Sequence, residues 1–421
     1  MAEDENVVKP KFVNSGVYGC YYYPRVPCKN ISEEEMAALD DTELMGSKVQ
    51  LNKSQLRAEI RHSQRLQMTT PKHPLYFVMA RYVCALQEEQ RDDLTECAPL
   101  FPENKQKKKK KKKGSNKGGG QEGGQEGGKE MPIDAFEYDE KAKYINMLMP
   151  NVENATSLVA YMRGLPHTRR WSTLLYLYQH VVEGMCHLKK ASLIHWDLHS
   201  GNILVDRKRG VPYIIDFGLS IDALSAHERQ YIASHFPHLP NLDRWPIEMH
   251  LMLWGHHLAA RGINKSHEAQ EAYESTLPQY LEVYVHNMSH LDICSQTFRR
   301  RYLEGVLEFY AGFRLEHALS DAMWLGWETW DNYSVSVLFL NFMCSLYSGP
   351  HEHNFPVNNA MLRDFVHILL KNVHYDWRRR PTVEKTLEDV RALGSRSYEW
   401  NDLTVSREFP TFVPGATSCA E

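Results

Sequence analysis

"LIHWDLHSGNILVDRKRGVPYIIDFGLS", Leu193–Ser220, decides the fold. Within it, "NILV" (Asn202–Val205) and "PYIID" (Pro212–Asp216) are short apolar runs. The polar "DRKRG" between them ends in glycine, so the spacing predicts a hairpin. A hairpin brings its two ends together. It sets Asn202 beside Asp216, with Asp197 just ahead on the preceding loop. Three oxygen-bearing side chains then converge on one spot. Mg²⁺ is usually held by one or two carboxylates plus the phosphates of a substrate, so this donor set suits a hard cation with phosphate ligands. Asp197 is placed to accept a proton from an attacking hydroxyl. The pattern points to phosphoryl transfer.

The whole chain sets bounds on that reading. Its 421 residues suffice for two or three domains with a large buried core. The net charge of −4 hides an asymmetry, because Glu103–Glu130 holds ten Lys and four Glu. The remainder is therefore mildly acidic and gives no global case for nucleic-acid binding. Eight cysteines lie scattered without CxxC pairs or zinc-ligand spacing, which leads us to expect reduced thiols inside a cell. The opening "MAEDENVVKP" is acidic and lacks an apolar core, so it does not read as a signal peptide. The longest apolar run, Val335–Tyr347, is too short to span a bilayer and reads as a buried helix. No membrane span is expected. None of the 21 histidines shows metal-ligand spacing, and "HEHN" at His351–Asn354 reads as a polar loop.

Residues 10 to about 83 look like short strands with one helix. Residues 84–140 turn polar and then low-complexity, as "KQKKKKKKKGSNKGGGQEGGQEGGKE". Nothing there can bury a core and the like charges repel, so disorder is expected over about 103–130. The basic run Lys107–Lys113 reads as a nuclear-import signal, an anionic-surface tether, or a solvated insertion without a role. "YINMLMPN" (Tyr144–Asn151) reads as a strand and a turn. Apolar residues from Leu174 to Leu188 recur on one helix face, and beyond Ile221 the pattern is mostly helical through about Leu393.

Asp-x-x-x-x-Asn, followed after a hairpin by Asp-Phe-Gly, matches the protein-kinase motif set. At these residues the chain resembles the eukaryotic-type protein kinases. The resemblance implies an α+β, bilobal fold, with a small β-rich N-lobe and a larger helical C-lobe. It places a tail at 1–9, the N-lobe at 10–150, the C-lobe at 151–395 and a second tail at 396–421. It also implies ATP and Mg²⁺, with Asn202 and Asp216 as metal ligands, Asp197 as catalytic base and the adenine near Met147–Asn151, including Met149. "FVNSGVYGCYYYP" (Phe12–Pro24) resembles the glycine-rich loop over the phosphates, with Gly16 and Gly19 in its second and third glycine positions. Asn14 replaces the first, and Tyr21 stands where a small Val usually covers the adenine. Lys48 resembles the lysine that holds the α- and β-phosphates, with Lys53 the alternative, and Glu59 its helical partner. "RWPIEMHL" supplies Glu248 and "DWRRRPT" supplies Arg380, which resemble an acid closing the activation segment and its arginine partner. Asp331, at the head of "WDNYSVSVLFL", resembles the residue that holds the catalytic loop's backbone. Glu248 and Asp331 are far apart for the family, so a helical insertion is expected over about 250–325. The "PRVPC" after the glycine loop and the "WPIE" are similar to divergent serine/threonine kinases of large DNA viruses.

The loop itself departs from the family pattern. His195-Trp196-Asp197 replaces His-Arg-Asp, and His199 stands where serine/threonine kinases place a lysine that steadies the γ-phosphate. His195 is expected to pack under Asp-Phe-Gly and bond backbone. His199 reads either as a weaker γ-phosphate ligand or as a loop-ordering group. Trp196 carries no charge, so the segment Asp216–Glu248 is expected to be ordered by packing, with Leu219, Ile221 and Leu224 as partners. Arg229 and Arg244 are the nearby basic residues that could replace the missing arginine. The resemblance implies transfer of the γ-phosphate of ATP to Ser/Thr hydroxyls of protein substrates in an intracellular, cytoplasmic or nuclear setting. The alternatives are a catalytically weak scaffold, or a small-molecule kinase of the aminoglycoside or choline type, which shares Asp-x-His-x-x-Asn.

Overall fold

The computed structural model describes residues 9–15, 19–29, 44–86, 94, 96–97, 141–235, 242–260, 266–347 and 360–395. Gly16, the Lys/Gly-rich stretch 103–130, "HEHN" and the tail 396–421 lie outside these residues. The chain divides into two units, residues 1–63 with 78–153, and residues 64–77 with 154–421.

In the first unit, alternating side chains build a five-stranded antiparallel sheet. Its strands are β1 (Lys11–Ser15), β2 (Gly19–Tyr23), β3 (Met45–Leu51), β4 (Tyr82–Ala85) and β5 (Tyr144–Pro150), in the order β1-β2-β3-β5-β4. On β5, Ile145, Met147 and Met149 face one side, where they pack with Leu56 and Ile60 of the helix Ser54–Thr69. Leu148 faces the other side with Met45, Cys28 and Cys84, as a period of two requires. At Gly19 a Cβ would lie 2.4 Å from the Val49 carbonyl oxygen, so only glycine lets β2 approach β3 there.

Two disulfides staple this unit, Cys20–Cys97 and Cys28–Cys84. The expectation of reduced thiols fails for these four cysteines. The partners are separated by 77 and 56 residues. Local spacing therefore carried no signal, and only the sheet brings the sulfurs together. The Tyr22 hydroxyl also donates to the Leu94 carbonyl at 3.2 Å, so the chain entering the polar stretch is pinned twice. Among the described residues, Cys186, Cys294 and Cys344 form no disulfide.

In the second unit, β6 (Ala155–Ser157), β8 (Ile203–Asp206) and β9 (Pro212–Ile214) form one antiparallel sheet, while β7 (Leu193–Ile194) pairs with β10 (Ile221–Asp222). The other regular elements among the described residues of this unit are helices. The helix Trp330–Tyr347 is apolar nearly all round and buries Val335, Val337, Phe339, Leu340 and Met343, as a helix at the centre of a core must. Beside it runs a buried polar network. Asn372 Nδ2 donates to Tyr178 Oη, Ser336 Oγ and Asn332 Oδ1 at 2.9, 3.0 and 3.3 Å, and its Oδ1 accepts from Thr386 at 3.0 Å. Each member is satisfied, so the network fixes the registration of four helices. The expected insertion contains the helices Ser266–His286 and Gln296–Tyr310. Residues 64–77, which the sequence reading grouped with the first part, pack in the second unit. The Ile214 N–H donates to the Tyr76 carbonyl at 2.8 Å, and the Tyr76 ring lies against His180 and His187. The reason is the aromatic pair Tyr76–Phe77, whose burial outweighs sequence proximity to β4. Among the described residues, no helix is long and apolar enough to cross a membrane.

Candidate active site

The hairpin forms as expected. Ile203 pairs with Ile214 and Val205 with Pro212. Asp206 Oδ1 accepts from the N–H groups of Lys208 and Arg209 at 2.8 and 3.1 Å, and Gly210 takes φ +70° to close the turn. This is an Asp-initiated turn with glycine at the left-handed position. At its open end the Ile215 N–H donates to the Asn202 carbonyl at 3.0 Å, which sets Asn202 beside the chain entering Asp216. Asn202 Nδ2 donates to the Asp197 carbonyl at 2.9 Å and to Asp197 Oδ2 at 3.3 Å. With its amide donors turned onto Asp197, Asn202 keeps Oδ1 as an acceptor. Asp216 sits at φ +64° and caps the turn Phe217–Leu219. Among the described residues no group of three or more His, Cys, Asp or Glu side chains could hold a metal ion by itself. One amide and one carboxylate oxygen suit Mg²⁺ whose remaining ligands are phosphate and water.

The loop ahead of the hairpin is held from below. Asp331 Oδ2 and Oδ1 accept from the N–H groups of His195 and Trp196 at 2.7 and 3.1 Å. Those bonds hold Trp196 at φ +70°, an uncommon backbone state for a bulky residue. The His195 ring bonds the Ile215 carbonyl through Nε2 at 2.9 Å and lies 5.1 Å from the Phe217 ring. His195 therefore packs under Asp-Phe-Gly and bonds backbone.

His199 Nδ1 accepts from the Gly201 N–H at 2.9 Å, which requires that nitrogen to be unprotonated. Its Nε2 stands 3.6 Å from Asp197 Oδ2. The loop-ordering role is therefore the one its bonding supports. Asp197 Oδ1 accepts from an Arg244 Nη2 donor at 2.9 Å. Burial pushes the Asp197 carboxyl up, but the neighbouring His199 ring and the Arg244 charge outweigh it and hold the group below its ordinary value. Sequence reading left Arg244 as one of two spare basic residues. Nothing in its local spacing marks it as a partner of Asp197, 47 positions away.

In the first unit, Lys48 Nζ lies 2.6 Å from Glu59 Oε1, and Gln50 Nε2 donates to Glu59 Oε2 at 3.0 Å. Lys53 is exposed beyond the end of β3, whereas Lys48 is the lysine paired with Glu59. Met149 is buried on β5, opposite Gly46. The Tyr21 ring lies across Gly46, where a Cβ would fall 1.9 Å from its hydroxyl oxygen, and that hydroxyl donates to Asn151 Oδ1 at 3.2 Å.

Glu248 and Arg380 form a fully buried ion pair, with Nη1 to Oε1 at 2.5 Å and Nη2 to Oε2 at 3.0 Å. Trp330 Nε1 also donates to Glu248 Oε1 at 3.0 Å. The long separation between Glu248 and Asp331 thus leaves this pair intact.

Packing orders the chain around Trp196, through different partners from those expected. Its ring centroid lies 5.8, 6.0 and 5.6 Å from those of Trp245, Trp324 and Trp330. Ile221 is buried in β10, but Leu224 is 66% exposed and contributes nothing. Neither spare arginine is left for a phosphate. Arg244 is on Asp197, and Arg229 reaches Asp321 at 3.6 Å and lies over the Trp324 ring. Phosphatase treatment that leaves Ser220, Ser225, Tyr231 and Ser234 unmodified by mass spectrometry is therefore expected to leave phosphoryl transfer unchanged. Activity that vanishes and returns on rephosphorylation would reveal another basic pocket.

Residues 136–240, about a quarter of the chain, match the family model for protein tyrosine and serine/threonine kinases. The match covers Asp197, Asn202 and Asp216 and supports the protein kinase superfamily, without distinguishing tyrosine from serine/threonine specificity. No curated protein matches the chain.

Proposed function

We propose that the chain is a protein kinase that transfers the γ-phosphate of ATP to serine or threonine hydroxyls of protein substrates. The observation that carries the reading is the placement of three residues: Asn202 bonds Asp197, on a loop that Asp331 fixes, and its carbonyl accepts from the Ile215 N–H, which brings the chain entering Asp216 alongside. Asn202 and Asp216 would hold Mg²⁺, which supplies charge neutralisation at the phosphates. Asp197 orients the substrate hydroxyl and accepts its proton. The hydroxyl oxygen forms a bond to Pγ, the bond from Pγ to the bridging β-phosphate oxygen breaks, and ADP leaves. Lys48, steadied by Glu59, would orient the α- and β-phosphates, and Gly16, Gly19 and Met149 would contribute to nucleotide binding. Most of the work is positioning and charge compensation.

The buried Glu248–Arg380 pair favours protein over small-molecule substrates, because it belongs to the substrate-docking part of the protein-kinase pattern. The loop lacks the Ala-Ala-Arg-Asn variant, which favours serine/threonine over tyrosine. The test is to incubate the protein with labelled ATP, Mg²⁺ and generic protein substrates and identify the phosphoamino acid. Phosphotyrosine would overturn the specificity, and labelling of an aminoglycoside or choline in place of protein would overturn the substrate class.

One observation favours a second reading, a scaffold with weak catalysis. Tyr21 fills the space over Gly46 where the resemblance places a small residue above the adenine. Tyr21→Val is therefore expected to lower the KM for ATP several-fold. An unchanged KM would show that the ring does not compete with the base.

A further inference from the structure

We propose that Arg244 is a positioning residue of the transfer site, fixing the carboxylate of Asp197 and setting a guanidinium charge beside it, an assignment that rests on the phosphoryl-transfer reading. The pair is half-buried, with side-chain exposures of 28% for Arg244 and 19% for Asp197, so solvent screens it less than a surface pair. His199 is occupied otherwise. Its Nδ1 takes the Gly201 N–H, and its ring lies so close to Gly201 that a Cβ there would meet Cε1 at 2.7 Å. Transfer of a phosphoryl group beside an ionised Asp197 places several negative charges together, and a fixed cation lowers the barrier most where charge develops.

The main chain shows how Arg244 is delivered. Ser334 Oγ donates to the Arg244 carbonyl at 2.8 Å. The next residue, Trp245, donates from Nε1 to the Trp196 carbonyl at 3.0 Å, and its own carbonyl accepts from the Tyr284 hydroxyl at 2.9 Å. Helices Trp330–Tyr347 and Ser266–His286 thus clamp the backbone on both sides, and the side chain alone reaches Asp197. Its Nε is buried and has no hydrogen-bond partner among the described residues, so no other bond from Nε anchors the guanidinium. Displacing this stretch withdraws the cation, which ties the order of the segment to competence for transfer.

The experiment compares wild type, Arg244→Gln and Arg244→Lys in steady-state kinetics with MgATP and a serine-containing protein substrate. Arg244→Gln is expected to lower kcat roughly 10- to 100-fold, with KM for ATP within about twofold, because nucleotide binding is not its role. Arg244→Lys should recover part of the loss. In an Asp197→Asn background, Arg244→Gln should add little, since both changes act through one carboxylate. A wild-type kcat for Arg244→Gln, or an equal loss in both backgrounds, overturns the assignment. Should Arg244→Gln fail to fold, Ser334→Ala provides a second arm. It removes the hydroxyl that bonds the Arg244 and Trp330 carbonyls, leaves the Arg244 side chain in place, and should lower kcat with KM unchanged, and a wild-type kcat there overturns the assignment too. A wild-type chain that transfers no phosphate to any substrate overturns the kinase reading itself, and Arg244's role with it. Loss of transfer in Asp216→Asn together with full activity in Arg244→Gln overturns the Arg244 assignment alone.

Discussion

Asp216→Asn is expected to reduce phosphoryl transfer by several orders of magnitude while moving the melting temperature by no more than a few degrees. The size of the effect follows from charge. The substitution removes the carboxylate of the proposed Mg²⁺ pair and leaves two neutral amides, at positions 202 and 216, to meet a divalent cation. Folding is spared for a geometric reason. Position 216 lies at φ +64°, where most L-residues are strained but Asn is tolerated, and an amide oxygen can still accept from the Gly218 N–H. Asn is therefore a cleaner probe than Ala, which would add backbone strain to the loss of charge. Turnover should be measured with labelled ATP over a range of Mg²⁺ concentrations, beside a melting curve. Near-wild-type turnover in a folded Asp216→Asn protein would sink the metal assignment.

Reducing the two disulfides is expected to lower the stability of the first unit steeply. For closed loops of 77 and 56 residues, the chain-entropy account gives about 4 kcal/mol each. Together that rivals the whole stability of a small domain, roughly 5–15 kcal/mol. A melting temperature lower by more than about 10 °C in dithiothreitol is the expected reading. The double substitution Cys20→Ser with Cys28→Ser should reproduce it without reductant. Alkylation under non-reducing denaturing conditions should leave Cys20, Cys28, Cys84 and Cys97 unmodified. Full alkylation of all four, or melting that ignores reductant, would remove the staples from the account. The pairing also runs against the expected cytoplasmic or nuclear setting, because disulfides form and persist mainly where the surroundings are oxidising.

Much of the site was legible in the residues. The chemistry of Leu193–Ser220 is local. Two apolar runs and a polar turn ending in glycine suffice to set Asn202 beside Asp216, because a hairpin's register follows from its turn and its alternation. The central helix was legible for a similar reason, since an uninterrupted apolar run can only be stable when covered on all sides. Lys48 with Glu59, and Glu248 with Arg380, were legible through resemblance rather than spacing, and the geometry brings each pair together.

Three features were decided by tertiary structure alone. Cys20 meets Cys97, and Cys28 meets Cys84, because the sheet order β1-β2-β3-β5-β4 and the loops leaving it bring distant sulfurs together. Residues 64–77 join the second unit because Tyr76 and Phe77 find aromatic and backbone partners there, whereas residues 10 to about 83 read from the sequence as one stretch of short strands with one helix. Arg244 reaches Asp197 because two helices far along the chain hold its backbone, and neither helix can be inferred from the eight residues around it. Short-range order is written in side-chain period and turn chemistry, which depend on near neighbours. Disulfide partners, unit boundaries and the charge beside the Asp197 carboxylate depend on which distant surfaces bury each other, and burial is a property of the folded whole.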